Sequence, residues 1–107
     1  MKKTTLALAF ICGNAQAEFY TGNDLLQRLD SESHGEKMLA LGYVIGVFDV
    51  GQSVLHCSPA NVTAGQVRDM TASYLRGFPA KRNKTAESLI NEMLTAAWPC
   101  SKKGVNL

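Results

Sequence analysis

Residues 36–55 read EKMLALGYVIGVFDVGQSVL, and the fold class turns on whether this run is strand or helix. The β-branched stretch from Tyr43 to Val50 suits a strand locally. The apolar run is too long for one strand, however, and lacks the strict alternation of a half-buried one. Met38, Leu39, Leu41, Val44, Ile45, Val47, Phe48, Val54 and Leu55 instead make a long helix over 36–55, the most buried segment of the chain. Gly42 and Gly46 lie one turn apart inside it. Each interior glycine costs up to about 1 kcal/mol relative to alanine, so each needs a reason. Close packing against another helix of the same chain is the first reason, and a homodimer or partner groove is the second. Glu36, Lys37 and Asp49 interrupt the apolar length, so this Gly-x-x-x-Gly is not a membrane-helix signature.

Shorter amphipathic segments flank that helix. Upstream, Thr21 followed by Asp24 reads as a capped helix start, with Tyr20 placed to staple against Leu25 and the helix running through Leu29. Downstream, Thr63 and Gln66 form a capping-box pattern. Val67, Met70, Thr71, Tyr74, Leu75 and Phe78 then recur at helical spacing until Gly77 and Pro79 end the run. Thr85 opens a last helix that turns Leu89, Ile90, Met93, Leu94, Ala97 and Trp98 inward and stops at Pro99-Cys100. The expectation is one all-α domain of four helices or slightly more. At 107 residues, with 46% hydrophobic and 19% charged side chains, the chain has room for a single core and no compositional mark of disorder, repeats or multiple membrane spans.

The first seventeen residues have a different character. Lys2 and Lys3 precede the short apolar run Leu6–Cys12, and Ala15-Gln16-Ala17 places small residues where a signal peptidase reads. Cleavage after Ala17 is expected, leaving a domain over 18–107 in the periplasm. Gly13 and Asn14 stop the run far short of the roughly 20 residues that a membrane helix needs. Ile11 is too bulky for the residue before a lipidated cysteine. Cleavage removes Lys2 and Lys3, which leaves nine basic and nine acidic side chains. With net charge near zero, no compositional case remains for a nucleic-acid partner or an anionic membrane. The basic group Arg76, Lys81, Arg82 and Lys84 around Pro79 lacks an aromatic stacking platform and reads as a solvated loop.

Cys12 leaves with the signal, and Cys57 and Cys100 remain as an even pair in an exported chain, which reads as a disulfide. A metal site is not expected. His56 directly precedes Cys57, His34 lies beside Gly35 at a helix start, and neither of the short spacings that build zinc sites is present. Catalytic machinery does not assemble either. Ser53 and His56 could meet, but without an orienting carboxylate, an oxyanion donor or a strand-to-helix elbow. Gly42, Gly46 and Gly51 match no nucleotide fingerprint. No enzymatic activity and no cofactor are expected.

Five pieces of the chain now stand in one order: Gly22-x-x-Leu25-Leu26; Leu41-Gly42-Tyr43-Val44-x-Gly46-Val47-x-Asp49; Cys57-x-Pro59-x-x-Val62-Thr63-x-x-Gln66; Tyr74-Leu75 with Pro79; and Ala97-Trp98-Pro99-Cys100. This order resembles the Rap/Tai-type immunity proteins of type VI secretion across nearly all of residues 18–107. The resemblance implies a small helical periplasmic protein that binds a peptidoglycan-cleaving amidase and protects its producer. Family members commonly carry a further cysteine pair at the places held here by Leu29 and Ala40. Both being absent together is what loss of a disulfide requires, since a lone cysteine would be a reactive thiol. An inhibitor of a phage or prophage lysis enzyme is an alternative of the same class, and a small acid-stress chaperone is one of another class. Asp49, His56, Arg68 and Asp69, polar groups beside the Gly-Tyr and Cys-Pro segments, are the candidates for partner contact.

Overall fold

The computed structural model describes residues 19–101, so the expected signal segment and its cleavage site lie outside the described residues. Four helices, α1 (Gly22–Leu29), α2 (His34–Gly51), α3 (Ala64–Gly77) and α4 (Ala86–Ala97), enclose one core, and a short 3-10 turn at Pro79–Lys81 joins α3 to α4. The described residues contain no strand, only isolated bridges at Thr21–Thr85 and Gln52–His56. Cys57 and Cys100 are disulfide-bonded. The all-α, one-disulfide architecture read from the sequence is therefore the architecture of the molecule.

Helix starts follow their capping chemistry. The Thr21 hydroxyl accepts from the Asp24 amide at 3.1 Å, and the Asp24 carboxylate accepts from the Thr21 amide at 3.1 Å. Thr63 and Gln66 repeat this reciprocal pattern at α3, while Ser33 and Thr85 accept from Glu36 and Ser88 at the starts of α2 and α4. Each cap satisfies an amide that the first helical turn leaves without a partner. The remaining amides at the start of α1 find carbonyls of the α3–α4 connection, Gly22 donating to Lys84 at 2.9 Å and Asn23 to Arg82 at 3.0 Å. Ala86 returns the favour by donating to Tyr20 at 2.8 Å.

The core comprises Leu25 of α1, Ala40 and Val44 of α2, Val67 and Leu75 of α3, and Ala86, Leu89, Ile90, Met93 and Leu94 of α4. Thr71 shares it, its own hydroxyl satisfied by donating to the Val67 carbonyl at 2.8 Å. Helix α2 packs against all three of the others. Yet only Ala40, Val44 and Gly51 of its residues are buried. The expectation that this is the most buried segment fails, because three short helices cover one side of an 18-residue helix whose apolar residues run all round it. The helix also ends four residues earlier than the apolar pattern suggests, at Gly51 rather than Leu55. At the far ends of the inward stripes, Phe78 and Ala97 are exposed.

The glycines divide unexpectedly. A Cβ on Gly42 or Gly46 would meet nothing within 4 Å, so neither serves packing within the chain. Gly22 and Gly51 do: a Cβ on the first would lie 2.6 Å from Leu89 Cδ1 and 3.0 Å from Cα of Arg82, and one on the second 3.1 Å from the His56 ring.

Candidate partner-binding surface

The uncovered side of α2 follows from its periodicity. Residues at helical spacing on the side away from Ala40 and Val44 are Leu39, Gly42, Gly46, Asp49 and Val50, all exposed. Val50 keeps 80% of its surface in solvent and Leu39 63%. Along the α4 edge of this face, Gly42, Tyr43, Gly46, Val47, Val50, Gly51 and Leu55 line an open hollow of about 510 Å³ with Glu87 and Asn91 as its polar wall. A second hollow of about 450 Å³, formed by Phe19, Tyr43, Val47, Thr85 and Glu87, continues it toward the start of α1. Glu87 thus stands where the two meet. Its carboxylate accepts from Asn91 Nδ2 at 2.9 Å. Burial pushes the Tyr43 hydroxyl above its ordinary pKa, and the nearby Glu87 charge adds to the rise, so the ring stays neutral. Exposed apolar surface on this scale, contiguous and rimmed by polar groups, marks an interaction site in a small soluble domain.

A braced turn extends the face beyond the end of α2. The Gly51 carbonyl accepts from the amides of Val54, Leu55 and His56 at 3.0, 2.7 and 3.2 Å, and the Ser53 amide donates to the His56 carbonyl at 2.7 Å. Ser53 adopts φ 69°, the left-handed region that a non-glycine residue occupies only when its surroundings impose it. Here the surroundings are well anchored. Gln52 bonds the Ser58 hydroxyl at 2.8 Å through its side chain, Cys57 donates its amide to the Trp98 carbonyl at 2.8 Å, and the disulfide closes beside it. The turn consequently holds Val54, 73% exposed, and Leu55 out toward solvent next to Val50.

His56 is the anchor of that turn. It is fully buried, its ring tilted against that of Phe48 with 4.8 Å between centroids, and its Nε2 lies 3.1 Å from the Phe48 carbonyl. A carbonyl only accepts, so the proton is assigned to Nε2, which satisfies one of the orphan carbonyls at the end of α2. The reading of His56 as a partner-facing group is corrected by this burial: its influence on a partner runs through the turn it holds.

The other three sequence candidates are exposed but do not converge. Asp49 lies on the uncovered side of α2. Arg68 and Asp69 form an ion pair with each other at 3.0 Å on α3 and border a separate cleft with Leu29, Asp30 and Arg76, where Arg76 pairs with Asp30. Tyr43, Val47, Val50, Leu55 and Glu87 were not singled out by the sequence for partner contact. The signal for them was present in an apolar pattern wrapping the whole circumference of α2, more than one core can cover. Among the described residues no group of three His, Cys, Asp or Glu side chains could hold a metal ion, and no helix is long and apolar enough to cross a membrane.

Against known proteins, no curated sequence matches the chain. The family model for Rap1a immunity proteins matches residues 21–100, from the cap of α1 to the second cysteine of the disulfide. That span holds all four helices, the braced turn and the uncovered face of α2, and the chain belongs to the Rap1a immunity protein family.

Proposed function

We propose that the protein is exported to the periplasm, where it binds a peptidoglycan-degrading amidase delivered by type VI secretion and blocks it, protecting the producing cell. Membership of an immunity family over residues 21–100 is the observation that carries this reading. The disulfide fits an oxidising compartment, and the apolar face of α2 with its braced turn is a preformed surface of the kind that binding without refolding requires. The protein acts by occlusion and not by catalysis. Asp49, Arg68 and Asp69 are polar groups available at the rim of such a complex, with His56 acting from behind the turn. A homodimer through the same open face is the competing use of that surface, and light scattering of the purified protein reports it directly.

The test is to search the neighbouring genes for a secreted amidase and to titrate that enzyme against the protein purified from the periplasm. Inhibition should be complete at a fixed molar ratio, and the purified protein should begin at Glu18. Inhibition far below stoichiometry, or an amidase that stays fully active with the protein in excess, would remove the immunity reading.

A further inference from the structure

Two carboxylates and no lysine or arginine flank the hollows beside the uncovered face of α2: Asp49 of that helix and Glu87 of α4. Glu87 stands at the junction of the two hollows, and Asn91 fixes one of its oxygens while the other has no partner among the described residues. Asp49 lies on the opposite edge of the same helix face and makes no hydrogen bond or ion pair among the described residues. Neither hollow is lined by lysine or arginine. Several cations of the described chain are engaged elsewhere: Arg68 with Asp69, Arg76 with Asp30, Lys81 with Glu92, and Arg28 over the Tyr20 ring.

This charge pattern selects the occupant. In a two-fold dimer the same patch meets itself. Two copies pairing through this face would bring Glu87 and Asp49 toward a surface that offers them no cation, and like charges at an interface oppose association. A partner that brings its own cation meets no such opposition. Gly42 and Gly46 let its backbone come close, since nothing within the chain occupies the space above them.

We propose that the α2 face docks a segment of another protein that lays apolar side chains over Gly42, Gly46, Val47 and Val50 and presents a lysine or arginine to Glu87. The proposal deepens the effector-binding reading and rests on it only for who the partner is. Its chemistry belongs to the face itself and is measured without the effector.

The probe is a set of three synthetic amphipathic helical peptides of about 18 residues, alike except that the positions flanking the apolar stripe carry Lys, Gln or Glu. They are titrated into the isotope-labelled protein at low salt. Amide shifts should cluster at Gly42, Gly46, Val50 and Glu87, and the Lys peptide should bind about fivefold more tightly than the Glu peptide, the scale of an exposed ion pair. High salt, or Glu87→Gln, should erase that ratio. Gly46→Leu should abolish binding of all three peptides without lowering the melting temperature, because its Cβ meets open space and its side chain fills the hollow from the helix side.

Equal affinities for the Lys and Glu peptides, or shifts confined to the Arg68–Arg76 cleft, would overturn the proposal. So would a dimer of the free protein that Gly46→Leu dissolves, which would assign the face to a second copy. An amidase still fully inhibited by both Gly46→Leu and Glu87→Gln would overturn this docking surface and leave the immunity reading standing. Peptide binding in the expected order with an uninhibited amidase would do the reverse.

Discussion

A methyl group on Gly22 would press on Leu89 Cδ1 and on the backbone of Arg82, where α1 and α4 begin side by side. Backbone cannot yield as a side-chain tip can, so Gly22→Ala should destabilise the fold by about 1–3 kcal/mol in denaturant unfolding. The opposite sign is expected one helix away. Gly42 and Gly46 sit mid-helix with open space beside them, so alanine at either position should raise stability by about 0.5–1 kcal/mol through helix propensity alone. A loss on Gly46→Ala would mean that a neighbour occupies that space. His56 carries the largest single-residue effect of the turn. His56→Ala empties a buried site and strips the Phe48 carbonyl of its donor, at about 3 kcal/mol by the scale of core truncations and lost buried hydrogen bonds. The same variant should increase amide exchange at Ser53–Leu55 before the rest of the fold responds.

Three helix starts were legible because their chemistry is local: Thr21 with Asp24, Thr63 with Gln66, and Thr85 each reach an amide within three residues, whereas α2 begins at His34 behind its Ser33 cap, two residues before the expected start. The end of α2 was not. Val54 and Leu55 continue the apolar pattern, whereas the helix stops because three amides converge on the Gly51 carbonyl and His56 turns back under Phe48. Those are tertiary facts, as is the emptiness over Gly42 and Gly46, which spacing alone read as close packing. The caps also set the acid response. The backbone amide of Thr21, then its hydroxyl, then Arg28 hold the Asp24 carboxyl below its ordinary 3.8. A lowered folded-state pKa adds stability that is present above pH about 3.8 and is lost as pH falls through the folded value. The hydrogen bond from Lys81 lowers Glu92 from 4.5 in the same sense. Stability should therefore decline on acidification below about pH 4.5. Asp24→Asn and Glu92→Gln, followed by urea unfolding at pH 7 and pH 3, should each make that decline shallower, and an unaltered slope would remove these two groups as its source.

At the scale of the whole molecule, ten buried apolar side chains among the described residues form the core, and Ala40 and Ala86 add little volume to it. A domain this small buries a modest fraction of its unfolded surface and is stable by several kcal/mol, so one covalent tie carries weight. The Cys57–Cys100 bond spans 43 positions and encloses all of α3 and α4. In the chain-entropy account a loop of that length contributes about 4 kcal/mol by restricting the unfolded chain. Reduction, or the double substitution Cys57→Ser with Cys100→Ser, should lower the urea midpoint accordingly and steepen the transition, because the freed unfolded chain exposes more surface. A shift smaller than about 1 kcal/mol would show that the helices alone stabilise the fold. The bond also stands immediately behind the turn that displays Val54 and Leu55. Conditions in which the reduced protein remains folded thus separate two roles. There, the Cys57 amide still reaches Trp98 and His56 still fills the space over Gly51, so partner binding should persist with weakened affinity. Binding lost outright in folded, reduced protein would assign the disulfide to positioning the turn and not only to stabilising the domain.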